Sequence, residues 1–169
     1  MNSKIKIIDN FLEDNVFTRI QNIVMGDYFP WYFNDFKSDG YDTHNYQFTH
    51  TIVREGEVQS DFFQYMDPFF KGLEVKEIIR VKMNLTTRTE KLFNHLYHTD
   101  FKDCTTAIFY MNTNNGKTIF KHGEEVNSVA NRMVIFNSNL EHAATSHTDE
   151  KTRVVAVSYT HLTLPTIPG

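Results

Sequence analysis

The stretch "NHLYHTDF", residues 94–101, places His98 and Asp100 two positions apart. On an extended chain, side chains two apart point to one face, so an imidazole and a carboxylate there can reach one ion. An HxD pair alone is a weak signal, and a surface histidine at a strand end explains it equally well. A second imidazole sharpens it. Two histidines and one carboxylate, with the remaining positions open, are the donor set that suits Fe(II). Such a site calls for a cation set deeper, to hold the far carboxylate of a keto acid. Arginine suits that task because its planar fork pairs with a carboxylate through two hydrogen bonds. The stretch "NLEHAATSHTDEKTR", residues 139–153, offers His142, His147 and Arg153.

Strand parity chooses between the two histidines. "TDEK", Thr148–Lys151, is polar and turn-like, so residues 142–147 and 152–159 are expected to form a hairpin. Positions 142 and 147 differ by an odd number and face opposite sides of a strand. Arg153, Val155 and Val157 share a face, taken as inward. With Asp149 and Glu150 as the loop, Arg153 lies opposite Ser146, which has the parity of His142. His142 and Arg153 are therefore expected to look inward together, a few residues apart. That offset fits a five-carbon dicarboxylate chelated at one end and salt-bridged at the other. His147 is expected to face outward near the hairpin tip.

These side chains need a rigid frame. "KIKIID", residues 4–9, reads as a strand, followed by a helix capped by Asp9 or Asn10. Val16, Phe17, Ile20, Ile23 and Val24 form its apolar face, and Gly26 stops it. "YFPWYF" and "NYQFTHTIV" read as extended. Residues 60–73 read as a second helix with Ser60 as cap and Pro68 interrupting it. From about Lys76 the chain turns to short strands: 77–85, 104–112, "KTIF", "NRMVIFNS", "EHAATSH" and "TRVVAVSY". "TNNG", residues 113–116, reads as a hairpin turn. Helices first and close-spaced strands after imply one mainly β domain, an antiparallel double sheet with helices packed outside.

Composition sets the outer bounds. The chain has 169 residues and is 40% hydrophobic, enough for one domain with a sizeable core and unlike a disordered chain. A net charge of -4 argues against broad nucleic-acid binding. No apolar run is long enough to span a bilayer, and "MNSKIKIIDNF" lacks the features of a signal peptide. The single cysteine, Cys104, excludes an internal disulfide and fits a reducing, cytoplasmic setting.

With "HTD", "AIFYMNTNNGKTIF", "NRMVIFNSNLEHAATSHTDEKTR" and "IKIIDNFLEDNVFTRIQ" in place, the chain resembles the 2-oxoglutarate/Fe(II)-dependent dioxygenases. The likeness is to the prolyl 4-hydroxylase-like branch, in particular small oxygenases of tailed phages, and runs to about Val157. It implies a double-stranded β-helix, the cupin-like jelly roll, with the site in its mouth. It implies Fe(II) on His98, Asp100 and His142, the distal carboxylate of 2-oxoglutarate on Arg153, and Tyr110 hydrogen-bonded to that co-substrate. It also implies O2 as oxidant, succinate and CO2 as products, and hydroxylation of a C–H bond in a prolyl residue, another peptide or protein group, or a small molecule. In a phage-encoded protein the compartment would be the host cytoplasm. The competing reading is a non-catalytic cupin-like metal-binding or structural module. A cupin enzyme using another metal without a keto acid is the third.

The remaining candidates carry bland readings. His95, His122, His44 and His50 read as surface, loop or packing residues, and Cys104 as buried and inert. Arg80, Lys82 and Asn84 alternate on one strand face and read as solvated, with an anionic substrate as the lesser reading. "NGKT" lacks the earlier glycine of a P-loop. Residues 158–169, "SYTHLTLPTIPG", depart from the preceding strand pattern and look like adaptor-derived sequence that recurs in translated metagenomic reads. The domain is therefore expected to comprise residues 1–157, with helices mostly in 1–75 and the β core in about 76–157.

Overall fold

The computed structural model describes residues 4–35 and 46–162. In chain order the elements are β1 (Ile5–Ile8), α1 (Asp14–Val24), β2 (Tyr32–Asn34), β3 (Gln47–Arg54), β4 (Glu57–Val58), a 3-10 turn (Asp61–Tyr65) and α2 (Asp67–Leu73). Then come β5 (Val75–Thr87), β6 (Thr105–Tyr110), β7 (Lys117–Phe120), β8 (Glu125–Asn127), β9 (Arg132–Asn137), β10 (His142–Ala144) and β11 (Thr152–Leu162). The described pairings are all antiparallel. The large sheet runs β1-β9-β6-β11-β5-β3-β2, with β4 paired to β3; the small sheet runs β10-β7-β8. This is the expected double sheet with helices outside, a jelly roll.

Alternation builds two apolar layers. Ile20 and Val24 of α1 and Phe69 and Leu73 of α2 pack on Val81, Met83, Phe109, Met133, Val154 and Ala156, the outer face of the large sheet. Phe109 anchors that layer, with the rings of Phe17 and Phe69 at 5.9 and 4.7 Å. The opposite face sends Ile108, Tyr110, Val134, Phe136, Val155 and Val157 toward Phe120 and Val126 of the small sheet. The candidate site therefore lies in the inner layer.

Local chemistry sets several boundaries. Ser60 Oγ accepts from Phe62 N at 3.1 Å and caps the 3-10 turn, while Pro68 sits in the first turn of α2. The helical stretch is thus split at the proline, as expected. The first helix begins later than its expected cap. Asn10 takes φ 50 and turns the chain, and Glu13 precedes the helix without a side-chain cap bond. Glu55 and Gly56, at φ 52 and 79, form the two-residue turn between β3 and β4. Asn131 clamps the N-terminal segment: its Oδ1 accepts from Leu12 N at 2.9 Å and its Nδ2 donates to Leu12 O at 2.8 Å. Its own φ of 63 adds a backbone cost for most other residues. Asn131→Ala is expected to destabilise the fold by about 2–3 kcal/mol, because it strands two buried backbone groups; urea unfolding measures this.

Two expected hairpins are absent. β10 pairs with β7 in the small sheet, whereas β11 pairs with β5 and β6 in the large one. The chain between them crosses from sheet to sheet. "TNNG" crosses likewise from β6 to β7, and neither Asn115 nor Gly116 has the positive φ of the expected turn. The crossings are tied together: Asn115 Nδ2 donates to Thr148 Oγ1 at 2.8 Å, and Asn115 Oδ1 accepts from Thr148 N at 2.9 Å. They close one end of the sandwich. β11 also continues past Val157, with Ser158, Tyr159 and Thr160 paired to both β5 and β6. Residues 163–169 of the suspected foreign tail lie outside the described residues.

Candidate functional site

Two backbone hydrogen bonds bring the histidines together. His98 N donates to His142 O at 3.0 Å, and His142 N donates to His98 O at 2.9 Å. Directly paired residues project to the same side of a ladder, and the two rings lie 4.6 Å apart. Asp100 is set by its N–H on Ser138 O at 3.1 Å. His142 Nε2 then lies 3.3 Å from Asp100 Oδ2, and His98 Nε2 lies 3.7 Å from Asp100 Oδ1.

The donor chemistry fits a metal. One ligand atom from each of His98, Asp100 and His142 falls within 4.8 Å of the others. His142 Nδ1 bonds Leu140 O at 2.9 Å. A carbonyl only accepts, so Nδ1 carries the proton and Nε2 presents its lone pair. Burial lowers the His142 pKa and favours the neutral, ligating imidazole, against the raising influence of Asp100. The Asp100 and His142 side chains are 5% and 6% exposed, whereas that of His98 is 48% exposed. The cluster is closed on one side and open on the other.

Each Asp100 oxygen receives a hydroxyl. Thr106 Oγ1 donates to Oδ2 at 2.8 Å, and Tyr159 OH donates to Oδ1 at 3.0 Å. Ser138 Oγ lies 2.9 Å from both Thr106 Oγ1 and Cys104 Sγ. Burial, with Asp100 adding to it, pushes the Tyr159 hydroxyl well above its usual pKa, so it remains a donor. Thr106 and Tyr159 were not singled out in the sequence. The parity of Thr106 on β6 marks it as inward-facing, but nothing local names its partner.

Arg153 occupies the closed end. It is 5% exposed, and its Nε donates to Ser128 Oγ at 3.0 Å. Its guanidinium carbon lies 5.6 Å from the Tyr110 ring centroid. Among the described residues it makes no ion pair with a carboxylate, and burial lowers its pKa. Tyr110 is fully buried, with its OH 2.7 Å from Thr118 Oγ1. Thr118 pairs with Ala144, two residues along β10 from His142. Two strand residues span roughly 6.6 Å. Arg153 and Tyr110 are thus linked, through Thr118, to a strand position two residues from His142.

Gly116 makes room for this arginine. A Cβ there would lie 2.9 Å from Arg153 Cδ and 2.8 Å from Asn114 Oδ1. Gly116→Ala is expected to displace the guanidinium and weaken the binding of a carboxylate paired with it roughly tenfold, about 1.4 kcal/mol. Metal affinity should stay at its wild-type value. Calorimetric titration of each ligand separates the two effects.

The other histidines fall elsewhere. His147 is fully buried, which overturns its expected outward position. The cause is the segment before His98, which lies across it: Thr89 N and Oγ1 donate to His147 O at 3.0 and 3.2 Å, and Ser146 N donates to Phe93 O at 2.9 Å. His147 is still not part of the metal cluster. His50 is buried, with Pro30 O and Ser60 Oγ each 2.7 Å from its ring nitrogens, a packing role. His122 lies 2.6 Å from Glu124, and His95 lines a small pocket with Thr86, Phe93 and Ser146. His44 lies outside the described residues. Arg80, Lys82 and Asn84 are half-buried rather than solvated. Burial, reinforced by Arg80, pushes the Lys82 pKa down to about 8.

No family model matches the chain, and no curated protein matches it in sequence. Solved structures do match in shape. A prolyl hydroxylase of Trichoplax adhaerens, solved with a peptide of the hypoxia inducible factor oxygen degradation domain, superposes with a TM-score of 0.62. Identity is 13%, over 94% of this chain and 84% of that one. The fold is shared with the 2-oxoglutarate/iron oxygenases. A 2OG-Fe(II) oxygenase family oxidoreductase from Burkholderia pseudomallei gives 0.62 at 12% identity, covering 92% and 84% of the two chains. A Pseudomonas putida prolyl-4-hydroxylase gives 0.54 at 14%, covering 95% and 94%.

Proposed function

We propose that this protein is an Fe(II)- and 2-oxoglutarate-dependent oxygenase that hydroxylates a C–H bond and releases succinate and CO2. The observation that carries this reading is Arg153. A buried guanidinium without a carboxylate costs several kcal/mol unless something pairs with it. On this reading that something is the distal carboxylate of a co-substrate whose other end meets His98, Asp100 and His142.

His98, Asp100 and His142 would hold the iron, which supplies the oxidising chemistry at positions the protein leaves open. Arg153 binds the distal carboxylate, and Tyr110 stands beside it as a further contact to the co-substrate. Thr106 and Tyr159 keep both Asp100 oxygens aimed. Phe120 and Phe136, with ring centroids 6.0 and 4.8 Å from that of His142, give the site an apolar wall that excludes water. The reaction balances as substrate C–H, 2-oxoglutarate and O2 giving C–OH, succinate and CO2. We assign it to one domain that extends the 1–157 expected from the sequence by the rest of the last strand, through Tyr159 to Leu162. Prolyl residues of a peptide or protein are the substrate class that the prolyl hydroxylases of like fold suggest. A reducing cytoplasm would keep the metal ferrous.

The test is anaerobic titration with Fe(II) and 2-oxoglutarate, followed by succinate detection after O2 is admitted. One iron per chain, saturable co-substrate binding and succinate formation support the reading. Metal binding with no response to 2-oxoglutarate would move it to the non-catalytic module.

A further inference from the structure

The inner face of the large sheet carries a second group of cations beside the candidate site. In the β5–β11 ladder, Thr86 pairs with Arg153, Asn84 with Val155, Lys82 with Val157, and Arg80 with Tyr159. Paired residues share a face. Arg80, Lys82 and Asn84 therefore point to the side from which Arg153 and Tyr159 project, and Tyr159 touches Asp100. On β3, Thr49 pairs with Asn84 and Thr51 with Lys82, after which the register shifts by one residue. That bulge resets parity and brings Arg54 round to the face of Arg80. Lys82 feels the charges of Arg80, Asp100 and Arg54.

Three like charges are thus gathered on a protein of net charge -4. Among the described residues four other cations have carboxylate partners, Lys71 with Asp67, Lys117 with Glu125, Lys121 with Glu141 and Arg132 with Asp9, and the remaining cations outside this group and the candidate site are exposed. Among the described residues Arg54, Arg80 and Lys82 form no such pair. Arg80 Nε and Asn84 Oδ1 are buried without a hydrogen-bond partner. Arg80 and Lys82 are half-buried and Arg54 is exposed; like charges held together are costly unless an anion joins them, and the carboxylate that Lys82 feels, Asp100, is already engaged by Thr106, Tyr159 and the two histidines. Arg153 lies farther along the same ladder, in its own pocket against Ser128 and Tyr110, so the co-substrate's distal carboxylate does not satisfy this second group.

We propose that Arg54, Arg80 and Lys82, with Asn84, form an anion-binding wall that selects a substrate bearing a carboxylate or phosphoryl group next to the oxidised carbon. This deepens the oxygenase reading and rests on it for the word substrate. The chemistry recognised is the anion itself, whether carried on a peptide side chain or on a small molecule.

The test uses three probes: a blocked pentapeptide with glutamate on each side of a central proline, its glutamine counterpart, and inorganic phosphate. Binding is measured to the full chain with saturating 2-oxoglutarate and with Zn(II) as a redox-silent metal. The acidic peptide is expected to bind at least tenfold tighter than the neutral one. In Lys82→Gln and Arg80→Gln that preference should fall below twofold, with 2-oxoglutarate affinity within twofold of wild type. Lys82→Arg should retain it. Phosphate that displaces the acidic peptide marks recognition of a free anion. Phosphate that does not, with the preference intact, marks a carboxylate carried on a chain. Equal binding of the two peptides by the wild-type protein overturns the wall, a comparison that needs no variant to fold. A preference that survives both glutamine variants overturns it as well, and so does loss of 2-oxoglutarate binding in them. A wild-type protein that ignores 2-oxoglutarate yet prefers the acidic peptide through Lys82 keeps the wall and removes the oxygenase reading.

Discussion

Replacing Asp100 with alanine is expected to abolish iron binding and succinate formation together. The substitution removes the only anionic ligand of the cluster and leaves the Thr106 and Tyr159 hydroxyls without their acceptor. Losing a ligating carboxylate should lower metal affinity by at least 100-fold, since outer partners of metal ligands alone are worth about 10- to 100-fold. His142→Ala should match it. His147→Ala should keep iron and turnover while lowering the thermal midpoint, because that ring is fully buried elsewhere. Iron stoichiometry and succinate, measured on all three variants with one iron stock, decide the assignment. Iron lost from His147→Ala and kept by His142→Ala would require rebuilding the site around His147.

Arg153→Met should give the second large effect, with opposite signs in two measurements. Loss of a charge-assisted carboxylate contact costs about 2–3 kcal/mol, or roughly 30- to 150-fold in 2-oxoglutarate affinity. The same change removes a buried, unpaired cation in favour of an apolar side chain of similar length. Such replacements are often stabilising by on the order of 1 kcal/mol. The ligand-free variant should therefore unfold at a higher urea concentration than wild type, while 2-oxoglutarate no longer shifts the transition. Arg153→Lys keeps the charge but not the planar fork, and should fall between the two. A variant that is less stable without ligand and still responds to 2-oxoglutarate would remove Arg153 from the co-substrate site.

The strands were legible because their signals are local. β5 alternates in its own residues, β6, β9 and β11 are short runs rich in apolar and β-branched residues, and the apolar helical face of α1 is equally plain. The metal candidates were legible by residue type, since His98 and Asp100 are near neighbours in the chain. Strand partners were not legible. The turn-like "TDEK" and "TNNG" suggested hairpins, yet both segments cross between sheets, because pairing is decided by the whole inner layer rather than by the turn. His142 does join the cluster, but what puts it there is its bridge to His98 and the pairing of β10 with β7, not a hairpin with β11. The buried state of His147 was hidden for the same reason, since its cover comes from residues far away in sequence. Thr106 and Tyr159 show the limit from the other side. A hydroxyl beside a carboxylate leaves no spacing signature when the two are brought together by tertiary structure.

The paired backbone bonds between His98 and His142 also bear on how the protein breathes. The segment from Arg88 to Asp100 forms no continuous strand; it is held along β10 and its continuation by a few backbone bonds, with bridges at Asn94–Thr145 and His98–His142. Such a segment opens in small steps that cost far less than global unfolding. Any opening that parts His98 from His142 also takes two ligands away from the third. Metal bound at all three positions must therefore leave before this flap lifts, and its binding energy adds to the opening cost by mass action. Amide exchange at His98, Asp100 and His142 becomes a gauge of site occupancy, slowing as the metal concentration rises past its dissociation constant. Amides of the outer layer around Phe109 keep the pace set by global unfolding.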